Sequence, residues 1–314
     1  MDTPHSRAAS ALRLGAIALA SVGLCRASFG RPLQAAQRQQ PSGQAVAAAP
    51  RVVRNVRFGP DIRQRFDVYA PPDAKGAPVI FMVHGGGWAY GDKSARGVTE
   101  NKVARWFPRG FIVISTNYRM LPQADPLEQA KDIARSIAVA QQRVAEWGGD
   151  PAKFILMGHS AGAHLVMLLA TSPSLTRDLP ITPWLGVVSI ESGALDIPEI
   201  MHEPHARLYD RAFGRDSAYW RAASPIDALA APATPILLVC SIRRPASCHR
   251  SDRFAARADS LGVRVSVLRE DLSHADADAR LGLDPGYTGA VEAFLRSLDV
   301  GVAQLLPVAA PPRR

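Results

Sequence analysis

At 314 residues, 47% of them hydrophobic and 21% charged, the chain can bury the core of one α/β domain of about 250 residues with appendages, which excludes a disordered or fibrous protein. The net charge of +9 invites a nucleic-acid partner, but six Arg against one Asp fall within residues 1–51 and two Arg with no acid within residues 300–314, leaving +2 for residues 52–299. That nearly neutral body carries no basic stripe interleaved with aromatics, so nucleic-acid binding has no support.

Arg7 and Arg13 precede an apolar segment from Leu14 to Leu24, with Ala27 among the small residues suited to cleavage. The segment falls well short of the ~20 apolar residues that span a bilayer. Residues 1–27 therefore read as a secretory signal peptide, which points to a periplasmic or secreted protein without a stable membrane span. Leu24 is bulky where a lipoprotein would carry a small residue before Cys25. Cys25 leaves with the signal or lies beside the cut, so Cys240 and Cys248 remain as an even pair in an oxidising compartment, and a disulfide between them is predicted. Residues 28–50, rich in Gln, Ala, Arg and Pro, read as a flexible linker, and residues 300–314 as a disordered tail.

Between these ends, strand-like and helix-like segments alternate, which predicts an α/β fold: an eight-stranded, mostly parallel sheet with helices on both faces, over residues 51–299. The strands fall at Val52 to Phe58, Arg65 to Tyr69, Val79 to Val83, Ile112 to Ser115, Phe154 to Met157, Gly186 to Ile190, Ile236 to Cys240 and Val263 to Leu268. Helices are expected at Asn101 to Phe107, Glu128 to Trp147, Ala161 to Ala170, Ser251 to Ser260 and Thr288 to Leu298. Residues 197–230 interrupt the alternation with Met201, Tyr209, Phe213 and Trp220, and read either as a small cap or as a surface excursion on the sheet edge.

The third strand runs into His84-Gly85-Gly86-Gly87-Trp88, where successive glycines leave backbone N–H groups uncovered by side chains. Such donors suit an oxyanion, and the amides of Gly86, Gly87 and Ala161 are the candidates. The fifth strand runs into Gly158-His159-Ser160-Ala161-Gly162 and then directly into an apolar helix. A serine at a strand-to-helix junction flanked by glycines has the context of a nucleophile elbow. Because a serine hydroxyl is weak at neutral pH, it needs a base, and His274 stands where one is expected, after the last strand on a polar loop. Of the other histidines, His159 and His164 flank the serine too closely, His84 belongs to the glycine turn, and His202 and His205 lie in the possible cap. There they suggest a metal pair less readily than a solvated surface. Trp88 and Tyr90, with Trp184, are candidates for an aromatic pocket.

Taken together, His84 to Trp88, Asn117-Tyr118-Arg119-Met120-Leu121-Pro122, the elbow and the late histidine resemble the α/β-hydrolase superfamily. Within it the likeness is to esterases of the hormone-sensitive-lipase and feruloyl-esterase-like groups, over about residues 52 to 299. The resemblance implies the chain order nucleophile, acid, histidine, with Ser160 and His274 in two of those roles. It also implies an aspartate after the seventh strand, and here the chain departs: Ser241-Ile242-Arg243-Arg244-Pro245-Ala246-Ser247-Cys248 contains no acid. A carboxylate from another strand end could hold the imidazole instead. Asp196, after the sixth strand, is the first candidate, although it could instead cap the next helix; Glu191 is the second and Asp252 the third.

The expected activity is a serine carboxylesterase acting on small to medium acyl esters, with a small-molecule ester as its partner and no metal or organic cofactor indicated. An amidase or arylformamidase on the same scaffold is the nearest alternative. A non-catalytic hydrolase-fold binding protein, motivated by the acid-free Arg243-Arg244 loop, is the alternative from another class.

Overall fold

The structure, a computed structural model, describes residues 51–307. The expected signal peptide, Cys25 and the linker lie outside the described residues. Eight strands form one sheet: β1 (Arg51–Arg57), β2 (Arg65–Ala70), β3 (Ala77–Val83), β4 (Ile112–Thr116), β5 (Gly149–His159), β6 (Gly186–Ile190), β7 (Ile236–Ser241) and β8 (Val265–Glu270), in the order β1-β2-β4-β3-β5-β6-β7-β8. β2 runs antiparallel to both of its neighbours and every other pair is parallel. This is the expected eight-stranded, mostly parallel architecture.

Every residue of β3, β4, β6 and β7 is buried, as a sheet covered on both faces requires. β3 shows the two layers directly. Val79, Phe81 and Val83 point into one apolar core, whereas Ile80 and Met82 point into the other.

The helices are α1 (Arg96–Trp106), α2 (Pro126–Arg143), α3 (Ala161–Thr171), α4 (Ile197–His202), α5 (Arg207–Phe213), α6 (Ser217–Ala222), α7 (Pro225–Ala228), α8 (Pro245–Asp259), α9 (His274–Ala279), α10 (Pro285–Arg296) and α11 (Val300–Leu305). α2, α3 and α8 pack into the first core, and α1, α10 and α11 into the second. α2 shows why these segments are helical: Asp125 accepts from the amides of Leu127 and Glu128, Pro126 opens the helix, and Arg143 sits in its last turn. α3 is buried almost all round, as a helix between the sheet and α2 must be.

The structure moves several expected boundaries. The helix expected from Ser251 begins at Pro245, because proline in the first turn suits a helix start. β8 begins at Val265 rather than Val263, whose amide instead bonds to Ala258 O at the end of α8, around Gly262 at φ +68°. The tail expected from residue 300 is corrected in part. Residues 300–305 form α11, capped by Asp299, with Val302 buried against the second core; residues 308–314 lie outside the described residues. Residues 197–230 fold as the four short helices α4 to α7 between β6 and β7.

Candidate active site

Ser160 stands between the end of β5 and the start of α3 at φ 54° and ψ −118°. A positive φ at a residue bearing Cβ costs on the order of 1–3 kcal/mol, so the surroundings must impose it. The Ser160 N–H donates to Ile190 O at 2.9 Å. A Cβ on Gly162 would lie 2.3 Å from Val83 O and 2.4 Å from His84 O, so only glycine lets α3 approach β3 this closely.

Ser160 Oγ lies 2.9 Å from His274 Nε2. His274 is the first residue of α9, not a loop residue as its polar neighbourhood suggests, because Ser273 caps the helix by accepting from the Asp276 amide. Several contacts fix α9. The buried Lys102 ammonium forms an ion pair with Asp278 Oδ1 at 2.7 Å and donates to Gly97 O at 2.9 Å. Asn101 Nδ2 donates to Ala279 O at 2.6 Å, and Tyr287 Oη to Ala277 O at 2.9 Å. His159 Nε2–H donates to the His274 carbonyl at 2.9 Å, and burial holds the His159 pKa below its usual value.

The carboxylate facing His274 Nδ1 is Glu191 Oε2. The first candidate, Asp196, is corrected: its side chain accepts from the Glu199 amide at 2.9 Å and pairs with Arg253 at 3.3 Å, as the N-cap of α4. The physical reason is strand register. His159 pairs with Ile190, so the residues that follow each, Ser160 and Glu191, emerge side by side, whereas by Asp196 the chain has already turned into α4. The third candidate, Asp252, is half exposed and pairs with Arg269.

Glu191 is fully buried, at φ 51°. Its Oε1 accepts from the Ser241 N–H at 3.3 Å, and its Oε2 also receives Arg244 Nη1. Burial raises the carboxyl pKa and is the largest single influence, but the His274 hydrogen bond and the Arg244 charge outweigh it and hold the group below the usual glutamate range. Glu191 is thus an anion at neutral pH. With the carboxylate accepting Nδ1–H, the Nε2 lone pair is left for the Ser160 hydroxyl proton.

The glycine turn is held from behind. Tyr118 Oη donates to His84 O at 3.0 Å, the two rings stack at 4.6 Å, and Gln129 Nε2 and the Leu121 amide both reach Trp88 O. This is what the Asn117 to Pro122 segment does. Gly86 sits at φ +120°, and a Cβ there would lie 2.1 Å from Tyr90 O. Among the described residues, the N–H groups of Gly86, Gly87 and Ala161 donate to no protein acceptor, and the three residues share one cavity with Ser160.

That cavity, about 400 Å³, is also bordered by Trp88, Gly193, Ala194, Leu208, Tyr209, Arg244 and Ala275. Leu208 and Tyr209 come from α5, so the excursion between β6 and β7 walls the site. Trp88 is 3% exposed and packs on Phe213 and Tyr209. Its indole N–H donates to His164 Nδ1 at 3.1 Å, and His164 Nε2–H donates to Ala223 O at 2.8 Å. Tyr90 is corrected: it is 65% exposed and does not border the cavity, because its amide closes the glycine turn onto Gly86 O at 3.0 Å while its ring stays in solvent. Trp184 borders a separate cavity and bonds to Thr234 Oγ1. His202 packs edge-on against Trp220, while His205 bonds to Glu203 O and Asp210, so the two imidazoles have separate partners.

Cys240 at the end of β7 and Cys248 in α8 form the expected disulfide, which brackets Arg244. Sequence reasoning ranked Glu191 second and assigned no role to Arg244. The legible signal was a glutamate directly following the strand that comes next in the chain after the one carrying Ser160.

The BD-FAE family model matches residues 66–241, more than half of the chain. A probable isoprenylcysteine alpha-carbonyl methylesterase of Oryza sativa is 36% identical over 115 residues, covering 36% of this chain and 26% of its own length. Esterase LipC of Mycobacterium tuberculosis is 29% identical over 201 residues, covering 59% of this chain and 49% of its own length. The chain thus spans about a quarter of the first relative and about half of the second. Among solved structures, esterase B of Lactobacillus rhamnosis superposes with a TM-score of 0.66 at 20% identity, over 82% of this chain and 88% of its own. A truncated carbohydrate esterase from gut microbiota gives 0.66 at 17% identity, over 81% and 98%. With its eight-stranded sheet and elbow, the chain has the α/β-hydrolase fold and belongs to the BD-FAE family.

Proposed function

We propose that this protein is a secreted or periplasmic serine hydrolase that cleaves carboxylic esters of small to medium acyl groups through an acyl-enzyme. The observation that carries the reading is the contact of Ser160 Oγ with His274 Nε2 at 2.9 Å, backed at Nδ1 by the buried Glu191 carboxylate. Ser160 Oγ attacks the ester carbonyl as its proton passes to His274 Nε2. Glu191 stabilises the imidazolium so formed, and the amides of Gly86, Gly87 and Ala161 receive the developing oxyanion. The imidazolium then gives its proton to the departing alkoxide. Water, deprotonated by the same nitrogen, releases the acid and restores Ser160.

Relatives described as a methylesterase and as an esterase support ester chemistry. A cavity of about 400 Å³ closed by Leu208 and Tyr209 supports short acyl groups, with α4 to α7 acting as a cap. The charged-then-apolar N-terminal segment and the Cys240–Cys248 bridge support an oxidising compartment.

The test is turnover of p-nitrophenyl acetate, butyrate and octanoate beside N-formylkynurenine, for the wild type and Ser160→Ala. Ser160-dependent turnover that falls from butyrate to octanoate is expected. Strong preference for the formamide would establish the amidase reading, and no Ser160-dependent turnover would leave the binding-protein reading. Fractionation of expressing cells with sequencing of the mature N-terminus checks the location.

A further inference from the structure

We propose that Arg244 makes this pocket selective for esters that carry a carboxylate of their own, namely half-esters of short dicarboxylic acids. The inference rests on the hydrolase reading and names a substrate class for the same site.

Arg244 stands in the loop after β7, where the resemblance implies an aspartate. Its Nη1 meets Glu191 Oε2 and lies 2.7 Å from His274 Nδ1. Both nitrogens are donors, so they share the carboxylate rather than bond to each other. That single pairing leaves most of the guanidinium unused. Among the described residues, its Nε and Nη2 have no hydrogen-bond partner, and the side chain is 42% exposed. Glu191, by contrast, is fully buried and has its oxygens committed to His274, Arg244 and Ser241. A ligand in the pocket therefore meets a cation with donors to spare beside an anion whose oxygens are already engaged.

The neighbouring charges are turned elsewhere. Arg243 pairs with Asp271 at 2.6 Å, and Arg250 pairs with Glu199 and Glu203. Glu191 is the one acid bordering the cavity, whose remaining wall includes Trp88, Ala194, Leu208, Tyr209 and Ala275. One cationic donor edge in a mostly apolar wall, separated from the nucleophile by the His274 ring with contacts of 2.7 and 2.9 Å on its two sides, suits a carboxylate attached to the reacting ester by a short chain. A guanidinium binds such a group in a planar fork, and partial burial spares the pair some of the solvent screening that weakens exposed ones.

The experiment compares kcat/KM for monomethyl and dimethyl esters of succinic, glutaric and adipic acid. The proteins are the wild type, Arg244→Gln and Arg244→Lys, each at low ionic strength and in about 0.5 M NaCl. The wild type should favour the best monoester over its diester about tenfold, a factor equivalent to one charge-assisted contact. That preference should shrink in salt. Arg244→Gln should abolish it, chiefly by raising KM for the monoester, and Arg244→Lys should keep part of it.

Equal kcat losses on both esters in Arg244→Gln, with the ratio unchanged, would show that Arg244 serves Glu191 alone and would overturn the inference. So would a wild type that favours the diester, a measurement that stands even if Arg244→Gln does not fold. These results leave the hydrolase reading intact, because the diester is still turned over. No Ser160-dependent turnover of either ester would overturn both.

Discussion

Replacing Glu191 with Gln should lower kcat by about four orders of magnitude, near 5 kcal/mol of transition-state stabilisation, as expected when the anion behind a catalytic imidazole is neutralised. The size follows from the hydrogen-bond geometry. Glu191 Oε1 accepts from the buried Ser241 N–H, while Oε2 receives His274 Nδ1 and Arg244 Nη1. A glutamine has one acceptor oxygen to divide between these sides. If the oxygen stays with Ser241, the NH₂ faces two donors, and the imidazole avoids the conflict by placing its proton on Nε2. That tautomer presents N–H to Ser160 and cannot take its proton. If the amide turns the other way, the tautomer survives, but Ser241 loses its acceptor and the imidazolium loses its counter-charge. The assay is steady-state hydrolysis of p-nitrophenyl acetate, with a melting curve to show that the variant is folded. A folded Glu191→Gln protein within tenfold of the wild-type kcat would refute the assignment.

Asp196→Asn should change kcat less than twofold, since this residue caps α4 and pairs with Arg253; denaturant titration should show a loss of about 1 kcal/mol or less. The buried His164 has its pKa lowered to about 4, from 6.5, chiefly by burial. The unfolded chain therefore binds a proton that the native state refuses. The stability at stake is present above about pH 6.5 and is lost as pH falls towards 4, by about 2 kcal/mol at pH 5 and about 3 at pH 4. Urea unfolding at pH 7 and pH 5 should show this loss, and His164→Gln should flatten it. An equal slope in both proteins would contradict the assigned burial. Reducing the Cys240–Cys248 bridge, with its sequence separation of 8, should destabilise the domain by about 2–3 kcal/mol on the loop-entropy account. An unchanged melting curve in reductant would count against it.

How much of this was legible in the sequence follows from how far each feature reaches. The strands were readable because buried parallel strands are short apolar runs bounded by turns, as in Val79 to Val83. Ser160 and the glycine turn were readable because their chemistry is local: glycines spaced about a serine at a strand end leave few alternatives. His274 was placed by its order in the chain, although its position at the head of α9 depended on the Ser273 cap. Glu191 was outranked because partnership between β5 and β6 is a property of the sheet, and only the pairing of His159 with Ile190 shows that the next residues are neighbours. The same holds for Arg244, whose relation to Glu191 spans 53 positions. Tyr90 failed for a different reason. Its proximity in sequence to Trp88 said nothing about which way the ring would turn after a glycine at φ +120°.

The most direct test of the central claim, that Ser160 is a nucleophile activated by His274 and Glu191, is intact and peptide mass spectrometry after treatment with a fluorophosphonate. One adduct per chain is expected, on Ser160, absent from Ser160→Ala and formed far more slowly in Glu191→Gln. An adduct on another residue, or labelling of Ser160→Ala at the wild-type rate, would contradict it.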